Sequence, residues 1–327
     1  MSRRAWAMCS RSLLIAAATA TVPGPAAGQS LSELASMCTA GAPSSASACL
    51  DGAVAARALL GHLGLLAGVG AEVPGSWAAL GRRAGAAPRW AASLRAAGLN
   101  AKLPDVTDRV GNPRQQADFF VPAMHGSLAL GVFDGFRFRP TVGGFLALDF
   151  VGQTSMLFLP KGQGFSGRVG SLSIGARVGI LRETFTLPGI SLSVSHRLMG
   201  TVSLGNAPSG DPAAIRIEPS VTAFRATIGK DLFALGVMAG AGWDRYHTDA
   251  SLTVSDPTAG VVEIRSPLSA GRALAFGGLS YSLLILQLST EVGWARGFSG
   301  VQGYTQQAYD PTAGTVFGSF AGRLTIG

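Results

Sequence analysis

A transmembrane antiparallel β-barrel of about 8–10 strands, preceded by a short α-helical element, is what this sequence predicts, and three observations carry it. The 327 residues are 47% hydrophobic yet only 13% charged, with a mean hydropathy of +0.33. No run approaches the roughly 20 consecutive apolar residues that a membrane-crossing helix needs. The longest such stretch, 58–71, includes His62 and several glycines. Beyond residue 119 the apolar residues recur every second position, so hydrophobicity is spread over strands instead of collected in helices.

The elements follow in chain order. Arg3, Arg4 and Arg11 precede an apolar core at 13–20, and Ala26-Ala27-Gly28 offers small residues at a cleavage spacing. Residues 1–28 therefore read as a secretory signal peptide cut after Gly28. Removing them leaves 23 basic and 18 acidic residues and two cysteines. Cys38 and Cys49 would then sit in an oxidising compartment and are expected to form a disulfide. The charge is scattered, with no basic run interleaved with aromatics, so the composition gives no nucleic-acid footprint.

Residues 29–100 are rich in Ala and read as helical. Val54, Leu59, Leu63 and Leu66 share a broad face of one helix, and Pro74-Gly75 breaks the pattern. Trp90, Leu94 and Ala97 make a stripe on a third helix ending at Gly98. Residues 101–118 contain two prolines and no period and read as a linker. The barrel is then expected over 119–327.

Within it, Leu172, Ile174, Ala176 and Val178 alternate with Ser171, Ser173, Gly175 and Arg177, and Ile190, Leu192 and Val194 alternate with Ser191, Ser193 and Ser195. Apolar-out with small polar residues in suits lipid outside and a narrow lumen inside. Nine runs are legible, at 124–133, 141–151, 168–181, 189–203, 214–228, 232–252, 262–280, 284–297 and 314–326. The last eight make an even barrel by themselves, and a further strand near 115–122 would make ten. Very short turns are expected near 229–231 and 281–282. Long polar connections are expected at 204–213, 253–261 and 298–313, and the string DPTAG occurs at 256–260 and again at 310–314.

The alternating segments GSLSIGARVGI, GISLSVSHRL and TVFGSFAGRLTI, with the exported N-terminus and the loop asymmetry, resemble Gram-negative outer-membrane β-barrel proteins of the small-to-medium porin-like or hydrophobic-substrate channel type. The resemblance covers 119–327. It implies the outer membrane of a Gram-negative bacterium, with that membrane's lipids and the barrel-assembly machinery as partners. The chain departs from it at its last residues, Ile326-Gly327, where such barrels carry an aromatic.

On this parity the inward charged residues are Asp149, Arg177, Arg197, Arg216, Glu218, Glu291 and Arg323, which would fill a narrow barrel as mixed salt-bridge layers or, in a wider one, line an aqueous lumen. Substitution there, as in Arg177→Ala, is expected to leave insertion intact. His125 and Ser127 share a strand face, a spacing that lipid-modifying barrel enzymes use, although no carboxylate stands at a matching position to orient the histidine. No catalytic, metal or cofactor site is expected. The leading function is a passive channel or carrier for small solutes, apolar ones included, with 29–100 as a plug or a periplasmic cap. A closed barrel acting in structure or surface interaction is the alternative, and a lipid-modifying enzyme comes third.

Overall fold

The structure, a computed structural model, describes residues 29–69, 79–80, 89–107, 116–136, 144–301, 304 and 309–326. The expected signal peptide lies outside them. Two helices come first, α1 (Gln29–Gly41) and α2 (Ala46–Gly68), tied by a Cys38–Cys49 disulfide. Twelve strands follow: β1 (Trp90–Pro104), β2 (Gln116–Phe133), β3 (Ala147–Phe158), β4 (Arg168–Leu181), β5 (Gly189–Met199), β6 (Val202–Leu204), β7 (Ala213–Ile217), β8 (Ser220–Leu232), β9 (Leu235–Asp256), β10 (Gly260–Leu283), β11 (Leu286–Ala295) and β12 (Thr315–Ile326).

Ten of these close on themselves. The antiparallel order runs β1-β2-β3-β4-β5-β8-β9-β10-β11-β12, and β12 returns to β1 through the pairs from Trp90↔Ile326 to Leu99↔Phe317. Every strand in the wall thus has two neighbours, the condition for backbone polar groups to survive in hydrocarbon. The short β6–β7 hairpin is not one of the ten; β7 extends the sheet at the long-loop end by pairing with the upper part of β9 through Ala213↔Val254.

Side chains obey the predicted period. On β4, Leu172 and Ile174 are 66% and 71% exposed, whereas Ser171, Ser173 and Arg177 are buried. A soluble sheet hides its apolar face, and this chain presents it around the outside while polar groups face the axis. The architecture is that of an outer-membrane-type transmembrane barrel. Ile174→Arg is accordingly expected to cost about 2–4 kcal/mol of folding free energy in lipid vesicles. A variant as stable as the parent would place Ile174 away from the hydrocarbon.

The strand count of ten is reached by a different route from either one the sequence suggests. The segment 116–133 is one long strand, so 115–122 adds nothing separate. The missing strand is Trp90–Pro104, which corrects both the third helix and the linker. Its stripe of Trp90, Leu94 and Ala97 fits a helical period, but the segment also alternates, with Ala91, Arg95, Ala97, Leu99 and Ala101 facing inward and buried. Alanine is a good helix former and a poor strand former. Pairing on both sides, to β2 over the whole strand and to β12 over its first ten residues, overrides that preference. Only 105–115 remains as the connection.

Loop lengths distinguish the two ends. At one end two connections have only two residues, 233–234 and 284–285, beside the longer 134–146 and 182–188, and β1 begins and β12 ends there. At the other end lie the long connections 200–219 and 296–314. The expected long loop at 253–261 is instead a hairpin tip, because β9 and β10 pair continuously up to Asp256↔Gly260. Its DPTAG string works as a side-chain-capped turn. The Asp256 carboxylate accepts from the Thr258 amide and hydroxyl and from the Ala259 amide, and Asp310 accepts the equivalent two bonds from Thr312. Aspartate competes well for nearby amides in this way, which is why it opens such turns.

Candidate functional site

The helices belong to the long-loop end. Ser45 Oγ donates to the Ser255 carbonyl oxygen over 3.0 Å, and Gly41 lies against Val262 and Ile264 of the protruding β9–β10 hairpin. From there α2 descends into the barrel mouth. Every residue from Gly52 to Gly68 is buried, and α2 touches β1, β3, β7, β8, β9 and β10. A helix that is apolar all round must be enclosed. This one is enclosed by the wall, and 11 of its 23 residues are Gly or Ala. That slimness matters, because a helix with ordinary side chains is about 10–12 Å across, and a small barrel has little more room.

Close fits define its seat. A Cβ on Gly61 would lie 2.2 Å from the Phe298 ring, one on Gly64 would lie 2.4 Å from Tyr246, and one on Gly52 would lie 2.5 Å from Leu252. Polar tethers hold it from the side. Arg57 donates to the Ser299 carbonyl oxygen (2.9 Å), Arg272 to that of Gly61 (2.9 Å) and Arg225 to that of Gly68 (3.4 Å). His62 Nε2 lies 2.9 Å from the Lys102 carbonyl oxygen. The Leu80 amide donates to Asp149 Oδ2 at the short-turn end of β3. Leu80 thus lies toward the end of the barrel opposite the one that α2 enters.

Below the helix, the period of two and the antiparallel register stack charged residues inside the wall. Asp149 and Arg177 are cross-strand partners on β3 and β4, and both Nε and Nη2 of Arg177 donate to Asp149 Oδ2, at 3.0 and 2.7 Å. Arg225 and Asp244 make a two-bond pair at 2.5 and 3.2 Å. Arg95 lies 3.6 Å from Glu291. Arg197 donates to Ser155 (2.9 Å) and Ser171 (3.0 Å), and also to Gln153. Each of these groups is almost wholly withdrawn from solvent.

Of the residues that sequence reading aimed at the lumen, Asp149, Arg177, Arg197 and Glu291 lie inside, and half-buried Arg323 faces the axis between its register partners Ser93 and Gln287. Arg216 and Glu218 do not. The run 214–228 merges two strands: β7, carrying Arg216, belongs to the β6–β7 hairpin, and β8 starts afresh at Ser220. On β7 it is Ile215 and Ile217 that turn inward and pack in the core around α2, leaving Arg216 and Glu218 exposed. Arg177 is also more than a tunable lining residue. Asp149 is fully buried and takes two bonds from Arg177, so Arg177→Ala is expected to cost about 3–5 kcal/mol, a loss that urea unfolding in lipid vesicles would measure.

Several lumen groups escape the sequence reading. Arg95 is hidden by the helical assignment of its strand. Arg225, Asp244 and Arg272 were legible in principle, since Ala223, Arg225 and Thr227 share one parity, as do Asp244, Tyr246 and Thr248. Aromatics near strand ends divide in the same way. Trp243 and Trp294 face lipid, whereas Tyr246, Phe298 and Tyr309 are buried at the mouth around the helix.

His125 faces the lumen, and neither ring nitrogen has a hydrogen-bond partner. Its charged neighbours are Arg95 and Arg197 rather than a carboxylate, and Ser127 bonds to Ser93 at 2.5 Å. Among the described residues the pair has no carboxylate placed as the orienting acid of a hydrolytic triad. Among the described residues no group of three or more His, Cys, Asp or Glu is placed to hold a metal.

No family model and no curated protein sequence matches the chain. Solved structures do. The outer membrane protease OmpT from Escherichia coli is similar at 10% identity, with 73% of this chain and 96% of that one covered and a TM-score of 0.39. The translocator domain of the autotransporter NalP from Neisseria meningitidis is similar at 12% identity, with 83% and 98% covered and a TM-score of 0.44. The outer membrane phospholipase A from Escherichia coli follows at 11% identity, with 71% and 89% covered and a TM-score of 0.29. The likeness lies in barrel architecture, and no activity is carried over from it; the fold assignment itself rests on the register of this chain's own strands.

Proposed function

We propose that this chain is a passive channel or carrier for small solutes in the outer membrane of a Gram-negative bacterium, its outer mouth held shut by its own helix α2. The observation that carries the reading is the pairing of a seated helix with a charged lumen beneath it. Arg95, Arg177, Arg197 and Arg225 stand on its axis, where a closed barrel would use them as interior ion pairs and hydrogen-bond donors. Buried pairs of this kind add little net stability over apolar packing. Along an aqueous path the same residues would set selectivity. Arginines outnumber Asp149, Asp244 and Glu291, so the path would favour anions and neutral solutes over cations. The role is non-catalytic, with membrane lipids around the wall and the barrel-assembly machinery as the folding partner.

One observation favours the second reading, a permanently closed surface barrel: Gly61 and Gly64 fit the rings of Phe298 and Tyr246 as closely as a core. Planar-bilayer recording separates the two. The chain lacking 29–68, cut short of Trp90 so that β1 is preserved, is expected to give larger conductance steps than the full chain, with a reversal potential favouring anions. Silence from both forms, with insertion verified by heat-modifiable gel mobility, would leave the closed barrel as the function.

A further inference from the structure

The wall closes through the β1–β12 pairs, but at the long-loop end β1 runs on past β12. β1 and β12 pair only up to Leu99↔Phe317, and β12 begins at Thr315, so the last part of β1, 100–104, has a strand neighbour on the β2 side alone. The backbone edge left there is met from inside, where His62 of α2 reaches Lys102. Between this edge and the segment 309–316 lies a notch of about 780 Å³. That volume is within the roughly 300–1,000 Å³ typical of small-molecule sites.

The lining has two zones. Phe120, Val292 and Val316 form the sides, with Asn100 beside Phe120, and the three apolar residues are more than half exposed on the lipid-facing surface, so this part of the notch is continuous with hydrocarbon. Lys102 and Asp310 stand at the upper rim, where the exposed Lys102–Asp118 pair marks the water side. His62 and Thr315 form the floor. An apolar slot that opens sideways into the bilayer under a polar rim matches one kind of molecule. A polar solute would leave the sides unsatisfied, and a purely apolar one would leave the rim so.

We infer that the β1–β12 notch binds a single-chain amphiphile taken from the membrane, its acyl chain along Phe120 and Val316 and its hydrogen-bonding head group at Lys102 and the rim. The inference stands apart from conduction, since the notch opens on the outer wall whether or not the lumen conducts. Gly318 lies in the notch, and a Cβ there would meet only the Glu291 carbonyl oxygen at 3.8 Å, so Gly318→Leu fills the space without disturbing the wall. Gly152 on the lipid face of β3 has nothing within 4 Å of its Cβ position, and Gly152→Leu is the matched control.

The experiment uses the full chain in phosphatidylcholine vesicles with a palmitic acid carrying a photoactivatable diazirine. Cross-links are expected to concentrate in peptides spanning 98–102 and 309–318. Gly318→Leu should lower them about tenfold while Gly152→Leu leaves them unchanged. Labelling spread evenly around the wall, or equal loss in both variants, would overturn the inference. So would equally strong labelling of the same peptides by a two-chain phospholipid probe, which would assign the notch to ordinary bilayer lipid.

Discussion

Asp244→Ala is expected to destabilise the barrel by about 3–5 kcal/mol, the cost of breaking a buried ion pair from one side. Asp244 is 0% exposed, and it accepts two bonds from Arg225 and one from the Tyr246 hydroxyl at 3.1 Å. Its loss takes a two-bond carboxylate from an enclosed guanidinium that also tethers the last carbonyl of α2. It frees the hydroxyl of the ring against which Gly64 is seated. Urea unfolding in lipid vesicles, followed by tryptophan fluorescence, measures the loss. Replacing both partners, as Arg225→Met with Asp244→Leu, should recover most of it, because apolar groups of similar volume need no counter-charge. Asp118→Ala is the contrast. Its pair with Lys102 is about half exposed at 3.6 Å and should be worth no more than about 1 kcal/mol. If Asp244→Ala proved as mild as Asp118→Ala, water would have to reach Asp244, and α2 could not be sealing the mouth.

How much of this was legible in the sequence depends on whether neighbours or partners decide a residue's place. Strands such as β4 and β5 could be read directly, because Ile174 and Leu192 alternate with serines and nothing competes with a period of two. Trp90–Pro104 could not, since Ala and Leu at that spacing satisfy helix and strand alike. What decides it is the presence of β2 and β12 on either side, which no local window contains. The parity of Arg216 failed for a related reason. A period of two survives across 214–228, but the bend at Glu218–Pro219 separates a hairpin that packs on a helix from a strand that faces lipid. The disulfide needed only two cysteines and a compartment, and it is present. The location of α2 needed the most: its all-round apolar surface calls for an enclosure, and only the closed barrel supplies one.

The second large effect concerns that enclosure. Gly64→Leu is expected to unseat α2 and open the mouth. A Cβ at Gly64 would lie 2.4 and 2.5 Å from two carbons of the Tyr246 ring, and 3.3 Å from Val221. The ring cannot swing away, because its hydroxyl is bonded to Asp244 and to Arg272. Overpacking a core costs about 1–3 kcal/mol when neighbours yield. Here the neighbours are fixed and the helix is the part that can move, since wall strands are hydrogen-bonded on both sides whereas α2 is held by a few tethers from arginines and His62. The cost should therefore appear as displacement more than as unfolding. Heat-modifiable mobility is expected to persist, while conductance steps approach those of the chain lacking 29–68. Gly152→Leu, adding the same side chain on the lipid face, should leave conductance at the level of the parent. A silent Gly64→Leu variant that still inserts would mean that the lumen is blocked below the helix as well, and that the channel reading fails.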